Sequence, residues 1–191
     1  MIHEILSNAL LVVSNTLLIP DMVLLLAFTA LTIAYFGGFV AEAVNRRRHG
    51  AAFRAFLAAL KRDPSRRIKI TDIPRHHGWP ARLALEVAPG NVEKWVDDIQ
   101  LAMQANLSQL HFGIRLGPIL GLAGTLIPLG PALAALAGGN TPEFARNLVV
   151  SFTTTVVGLF VGSLCYVMHT VRQRWYTQDL NDIEFITKRL E

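Results

Sequence analysis

Long apolar segments without charge dominate the pattern of this chain. Neither 116–142 nor 147–171 contains Asp, Glu, Lys or Arg, and Gly138-Gly139-Asn140-Thr141-Pro142 predicts a turn between two helices. A helix of about 20 residues, rising about 1.5 Å per residue, crosses a hydrocarbon layer of about 30 Å. The pattern therefore predicts a membrane hairpin. Its parts are transmembrane helix 2 at 113–136, a short outer loop at 137–143 and transmembrane helix 3 at 144–170.

A further apolar region precedes the hairpin. Residues 22–41 carry no charge and lead into Asn45-Arg46-Arg47-Arg48, which predicts transmembrane helix 1 at 21–44, with Asp21 as its N-cap. Residues 2–19 are also apolar, but several polar side chains interrupt them and Pro20 closes them. We expect residues 1–20 to form an amphipathic helix at the outer interface. A fourth crossing is the alternative, because the length permits one.

Helical periodicity continues outside the predicted spans. Phe53, Phe56, Leu57 and Leu60 recur at i, i+3, i+4 and i+7, which extends the first helix as far as Asp63-Pro64-Ser65. A second apolar stripe consists of Val92, Trp95, Val96, Ile99, Met103, Leu107 and Leu110. It predicts one helix, capped by Asn91, that runs on into transmembrane helix 2. A separate helix with a kink at Gly113 is the alternative. A short helix is predicted at 80–87.

Composition and charge indicate an integral membrane protein and its orientation. The 191 residues are 52% hydrophobic and 17% charged, whereas soluble domains are roughly 25% charged. Of the 18 Lys and Arg residues, 12 lie between Arg46 and Lys94. The positive-inside rule therefore places the basic helical region at 45–112 and the tail at 171–191 in the cytoplasm. Nucleic-acid binding is a weaker explanation of these charges, because they flank membrane segments.

Small and hydroxyl-bearing residues are concentrated in the hairpin. Ser151, Thr155, Gly158 and Gly162 are spaced i, i+4, i+7 and i+11, so they share one helix face. The second span carries the small-xxx-small pair Gly117 and Gly121, together with Gly124 and Thr125, and Thr154 precedes Thr155 in the third. Each hydroxyl could bond a carbonyl of its own helix, or the hydroxyls together could line a polar path. The pattern leaves both interpretations open.

Several other kinds of chemistry are not supported. Adjacent His76 and His77 lack a second ligand pair, so a surface loop is a better interpretation than a metal site. No nucleophile, acid and base lie at a shared depth, so we expect neither an enzyme nor a cofactor. An ion carrier normally needs an ionisable group within the membrane, and the predicted spans supply none. A titrating carboxylate would have to come from another chain.

Two motifs in the hairpin resemble the MotA/TolQ/ExbB proton-channel family. Leu116-Gly-Pro-Ile-Leu-Gly-Leu-Ala-Gly-Thr125 is similar to its second-span motif, and Thr155-Val-Val-Gly-Leu159 to its third-span motif. The size is closer to the TolQ/ExbB branch. The sequence departs from that branch at Val150, where an acid is usual, at Val161-Gly162-Ser163 and at Pro128-Leu129. These departures leave the transported ion and the subfamily open.

The resemblance implies a fold, an assembly and a function. The fold is all-α, with three transmembrane helices that extend into the cytoplasm, in a homopentamer around a dimer of a single-span ExbD/TolR/MotB-like subunit. That partner's Asp would carry H⁺, or Na⁺, across the inner membrane and so power a motor or stator, for example in protein transport. The implied ion pathway comprises Thr125, Thr155, Thr154 and Ser151, and the implied packing or pore-lining residues are Gly117, Gly121, Gly124, Gly158 and Gly162. A non-conducting membrane scaffold is the alternative.

Overall fold

The computed structural model of the chain contains three long α-helices. They are α1, Ile2–Arg62, α2, Val92–Ala137, and α3, Thr141–Thr187. The structure describes residues 2–63, 67–68, 72–73, 78–80 and 92–189. Each helix contains a stretch that is long and apolar enough to cross a membrane, and most of each stretch is exposed on the single chain. In the described residues, the predicted all-α fold with three helices able to span a membrane is therefore confirmed.

The first helix does not begin where the sequence pattern suggested. α1 passes through Pro20 without a break, so Asp21 lies inside a continuous helix and its predicted role as an N-cap is wrong. Proline removes one backbone donor, but neighbouring groups in membrane helices can compensate for the loss. The position of residues 2–19 relative to a membrane remains a prediction. The helix ends at Arg62, immediately before the predicted stop at Asp63.

The second helix is also continuous. α2 passes through Gly113 and through Pro118, Pro128 and Pro131 without interruption, so the helix of the basic region is not separate from the second span. Of its predicted apolar stripe, Ile99, Met103 and Leu110 are buried. The regular spacing of this stripe is what allows a single helix to continue from the basic region into the hairpin.

A tight turn connects α2 to α3, as predicted. Gly139 has a φ of 74°, which is a left-handed conformation that glycine adopts without strain. Asn140 then caps α3, since its Oδ1 accepts a hydrogen bond from the Glu143 backbone N–H at 3.2 Å. Its amide nitrogen also donates to Glu143 Oε2 at 2.7 Å. The turn therefore directs α3 back along α2.

The chain divides into two compact units, each containing part of every helix. The apolar unit comprises Met1–Tyr35 and Leu110–Val167, and the polar unit comprises Phe36–Gln109 and Met168–Glu191. In the polar unit, the predicted stripe residues Phe53, Leu57 and Leu60 are buried. They belong to a core with other apolar side chains, namely Ile68, Ile73, Trp79, Ile99, Met103, Tyr176, Ile183 and Ile186.

Some predictions fall on parts of the chain that the structure leaves undescribed. The paired histidines His76 and His77 lie outside the described residues, as do most of the short helix predicted at 80–87 and its neighbour Asn91. Among the residues that are described, no group of three His, Cys, Asp or Glu side chains could hold a metal ion.

Candidate functional site

The backbones of α2 and α3 approach closely in the apolar unit. A Cβ atom added to Gly158 would lie 2.5 Å from the carbonyl oxygen of Gly117 and 2.7 Å from the Cα of Gly121. A Cβ atom on Gly117 would lie 2.9 Å from the backbone nitrogen of Gly162. Real Cβ atoms do not come this close to backbone atoms, so only glycine fits at these positions. We call Gly117, Gly121, Gly124, Gly158 and Gly162 the glycine seam.

The glycine seam follows from the sequence spacing. Glycines three to four residues apart lie on one side of a helix, and the absence of side chains lets a second backbone come close. Gly162 packs on the ring of Pro118, since its Cβ would lie 2.8 Å from the proline Cδ. Further along, Gly113 faces Cys165, whose Sγ would lie 2.6 Å from a Cβ on the glycine. The two helices are thus in close contact between Gly113 and Gly124 of α2 and between Thr154 and Cys165 of α3.

One predicted hydroxyl connects the two helices. The Thr155 Oγ1 donates to the carbonyl oxygen of Gly121 at 3.1 Å, and the Thr155 side chain is half-buried. The absence of a side chain on Gly121 favours this approach, because a Cβ there would lie 3.1 Å from the Thr154 carbonyl oxygen and 3.3 Å from the Thr155 Cα. A threonine oxygen that donates one hydrogen bond retains two lone pairs for an incoming donor. Thr155 can therefore accept a hydrogen bond from water or from an acid.

The other predicted hydroxyls bond to their own helices. Ser151 donates to the Asn147 carbonyl at 2.9 Å, and Thr125 donates to the Leu122 carbonyl at 2.7 Å. Thr154 Oγ1 lies 2.8 Å from the Ser151 carbonyl. Hydroxyls in membrane helices commonly make such local bonds. Three of these hydroxyls are therefore bonded locally and one bridges the helices, while the polar path stays a prediction.

The buried face of α3 differs by one position from the predicted one. Ser151 and Gly158 are buried as expected, but the threonine that is buried with them is Thr154 rather than Thr155. Thr155 lies at the edge of this face. Adjacent positions are about 100° apart on a helix. The sequence spacing alone therefore does not show whether Thr154 or Thr155 lies at the centre of the buried face of α3.

Asp21 is the site residue that sequence reasoning missed. Its side chain is buried, with 7% of the residue exposed, and its Oδ2 has no hydrogen-bond partner. A Cβ atom on Gly124 would lie 3.1 Å from this oxygen and 2.7 Å from Thr154 Oγ1. Because the Pro20-Asp21 pair resembles the start of a helix, the sequence does not indicate that the Asp21 carboxylate packs against the hairpin.

A buried network of ion pairs lies in the polar unit. The Arg46 guanidinium makes two hydrogen bonds to the Asp179 carboxylate, at 2.9 and 2.5 Å, and a further one to Glu42 at 3.3 Å. Arg172 binds the other Glu42 oxygen at 3.1 Å. Burial lowers the pKa of Arg46, but Asp179 and Glu42 more than offset this and raise it above its ordinary value. The guanidinium also lies 5.0 Å from the ring centre of Trp175.

Replacing Arg46 with alanine should destabilise the polar unit strongly. The substitution leaves the buried Asp179 carboxylate without its partner, which costs about 3 kcal/mol in comparable buried pairs. Thermal unfolding of the purified protein in detergent measures the change. Arg48→Ala is the matched control, since Arg48 is exposed in the same helix turn. Equal stability of the two variants would contradict a structural role for the ion pair.

Asp182 should make the stability of the polar unit pH-dependent. Burial, together with the negative charge of Asp179, raises the pKa of Asp182 above its ordinary value of 3.8, while Lys61 opposes the shift. The folded state therefore binds this proton more tightly, and the resulting stability is lost as pH rises through the raised pKa. Thermal unfolding of wild type and Asp182→Asn between about pH 4 and 7 measures this. We expect the variant to lose less stability, whereas exposed Asp98→Asn should follow wild type.

Comparison with known proteins identifies a family. The model of the MotA/TolQ/ExbB proton channel family matches residues 81–184, which is more than half of the chain and includes the entire hairpin. No curated protein and no solved structure gives a significant match.

Proposed function

Because the chain belongs to the MotA/TolQ/ExbB proton channel family, we propose that it is the channel-forming subunit of a membrane complex driven by an ion gradient. The observation that best supports this function is the hydrogen bond from Thr155 to Gly121. This bond lies between the uncharged segments of α2 and α3. There Thr155 would accept a hydrogen bond from the acid or water that carries the ion. Thr125 would extend the same polar path along α2.

The complex requires a partner in this proposal. Neither 116–142 nor 147–171 carries an ionisable Asp, Glu, Lys or Arg, so the moving ion needs a carboxylate from a different segment. A dimer of a single-span subunit with one membrane Asp would supply it, inside a homopentamer of this chain. Large apolar side chains remain exposed on the hairpin, including Ile119, Leu122 and Phe152. Lipid and neighbouring copies of the chain would cover them.

The proposed orientation follows from charge. The inner membrane is the expected location, with the 138–140 turn on its outer side and the basic region and C-terminal tail in the cytoplasm. Ion flow toward the cytoplasm would then drive relative rotation of the pentamer and the partner dimer. Such rotation would deliver mechanical work across the envelope.

Proton flux in lipid vesicles tests this function against the scaffold alternative. Vesicles that contain this chain together with the single-span partner should acidify when a membrane potential is imposed, whereas vesicles with either protein alone should not. Replacing H⁺ by Na⁺ as the only permeant ion identifies the ion used. A complex that assembles fully and carries neither ion would support the scaffold and would contradict the channel.

A further inference from the structure

The buried Asp21 carboxylate lies at membrane depth. Gly124 and Thr154, which border it, are each about 20 Å of helix away from the 138–140 turn. Thr154 is also about 12 Å from Arg146 and about 27 Å from Arg172, the charged residues that bound its uncharged segment. A hydrocarbon layer of about 30 Å, placed anywhere between Arg146 and Arg172, therefore contains Thr154 and the nearby aspartate.

A second contact confirms how α1 is aligned with α3. Thr32 Oγ1 lies 4.0 Å from Cys165 Sγ, and these residues are 133 positions apart. The same offset pairs Asp21 with Thr154, and the side chains of both residues lie next to Gly124. The two helices therefore run parallel in the apolar unit, and the depth of Asp21 does not depend on a single contact.

The surroundings of Asp21 favour a protonated carboxyl over a carboxylate. Thr154 has one hydroxyl hydrogen, and this points to the Val150 and Ser151 carbonyls of its own helix at 3.1 and 2.8 Å. The Thr154 hydroxyl hydrogen is therefore engaged within α3 and is not donated to Asp21. An ionised carboxylate buried without a donor is very costly, and the neutral carboxyl group avoids most of that cost.

Among the described residues that border Asp21, none carries a charge that would favour the ionised form over the protonated form. α2 presents Gly124 and α3 presents Thr154, and neither side chain ionises. The nearest charges along α3 are Arg146 and Glu143, both toward the turn and exposed. An ionisable residue inside a membrane is costly to keep, so it marks a functional site unless a structural partner explains it. Asp21 Oδ2 has no such partner.

We propose that Asp21 is a proton-binding site within this chain and that it exchanges its proton during ion transport. A hydronium ion on the side of the 138–140 turn transfers its proton to Asp21 Oδ2, so that one O–H bond of the hydronium breaks, the O–H bond of the carboxyl group forms and water is left. The same proton then leaves to water or to the partner's carboxylate, so no other reactant is needed. The transport role rests on the proposed channel function, whereas the protonation of Asp21 does not.

Infrared difference spectroscopy of the complete complex in lipid tests the site directly. We expect a band from a protonated carboxylic acid that is absent in Asp21→Asn and present in Glu143→Gln, whose carboxylate is exposed. In heavy water the band should shift, because the proton exchanges. Carbodiimide labelling of Asp21 in the wild-type complex supports the same conclusion without any variant.

Flux measurements separate this proposal from the channel function. In vesicles with the partner, Asp21→Asn should lower proton flux about a hundredfold. A variant that conducts like wild type, or a band unaffected by Asp21→Asn, would overturn the proposal and leave the channel function intact. Loss of the band on addition of Na⁺ at constant pH would also overturn it, because the site would then hold a metal cation. A wild-type complex without flux would contradict the channel function, while the band would still report protonation.

Discussion

Replacing Gly158 with alanine should prevent α2 and α3 from packing and should destabilise the apolar unit by about 3 kcal/mol. The new methyl group would lie 2.5 Å from the Gly117 carbonyl oxygen and 2.7 Å from the Gly121 Cα. Both are backbone atoms of a long helix, so neither can move without displacing its neighbours. Helices in lipid associate through close packing, which the methyl group would abolish. Thermal unfolding in detergent and the yield of intact complex measure the effect.

The same substitution elsewhere in the chain provides the control. Gly37 lies inside α1, and a Cβ atom there would have no atom within 4 Å. Alanine is favoured over glycine in a helix by about 1 kcal/mol, so Gly37→Ala should leave stability unchanged or raise it. A loss of stability in Gly158→Ala, together with unchanged or higher stability in Gly37→Ala, would support the glycine seam. A similar loss of stability in both variants would show that helix content, rather than packing at Gly158, determines the result.

Much of this fold could be predicted because membrane helices have a simple sequence pattern. Uncharged segments of sufficient length located all three spans, and Gly138-Gly139-Asn140 located the turn. Glycines spaced along one helix face also predicted a close contact in the hairpin. These features depend on local sequence and on the thickness of the membrane, so a single chain is enough to infer them.

Features that depend on distant residues could not be predicted. Arg46 and Asp179 are 133 positions apart, and no local pattern indicates that they form a pair. The sequence predicts Asp21 as the N-cap of a helix, because aspartate is favoured at that position, and only its contact with Gly124 places it beside the hairpin. Thr154 and Thr155 are adjacent, so their different burial depends on the exact rotation of α3 against α2.

Replacing Thr155 with valine should abolish proton flux without preventing assembly. Valine has nearly the same shape as threonine, so the close contact with Gly121 is kept, but the hydrogen bond of 3.1 Å to its carbonyl is lost. The lone pairs that would accept a hydrogen bond from the ion-carrying acid are lost as well. Removal of one positioned polar group commonly lowers a rate by about a hundredfold. Proton uptake by vesicles that contain the complex with its partner measures this loss.

Thr155→Ser is the matched control, because serine keeps the hydroxyl and omits only a methyl group. We expect it to retain most of the wild-type flux. Gel filtration of the three complexes shows whether they contain the same subunits, so a defect of assembly is recognised separately.

The direct test of the account is therefore the initial rate of proton uptake, compared among vesicles that hold equal amounts of intact wild-type, Thr155→Val and Thr155→Ser complex. We expect rapid proton uptake by the wild-type and Thr155→Ser complexes and almost none by the Thr155→Val complex. Equal uptake by all three would contradict it, because the hydroxyl between α2 and α3 would then have no part in moving the ion.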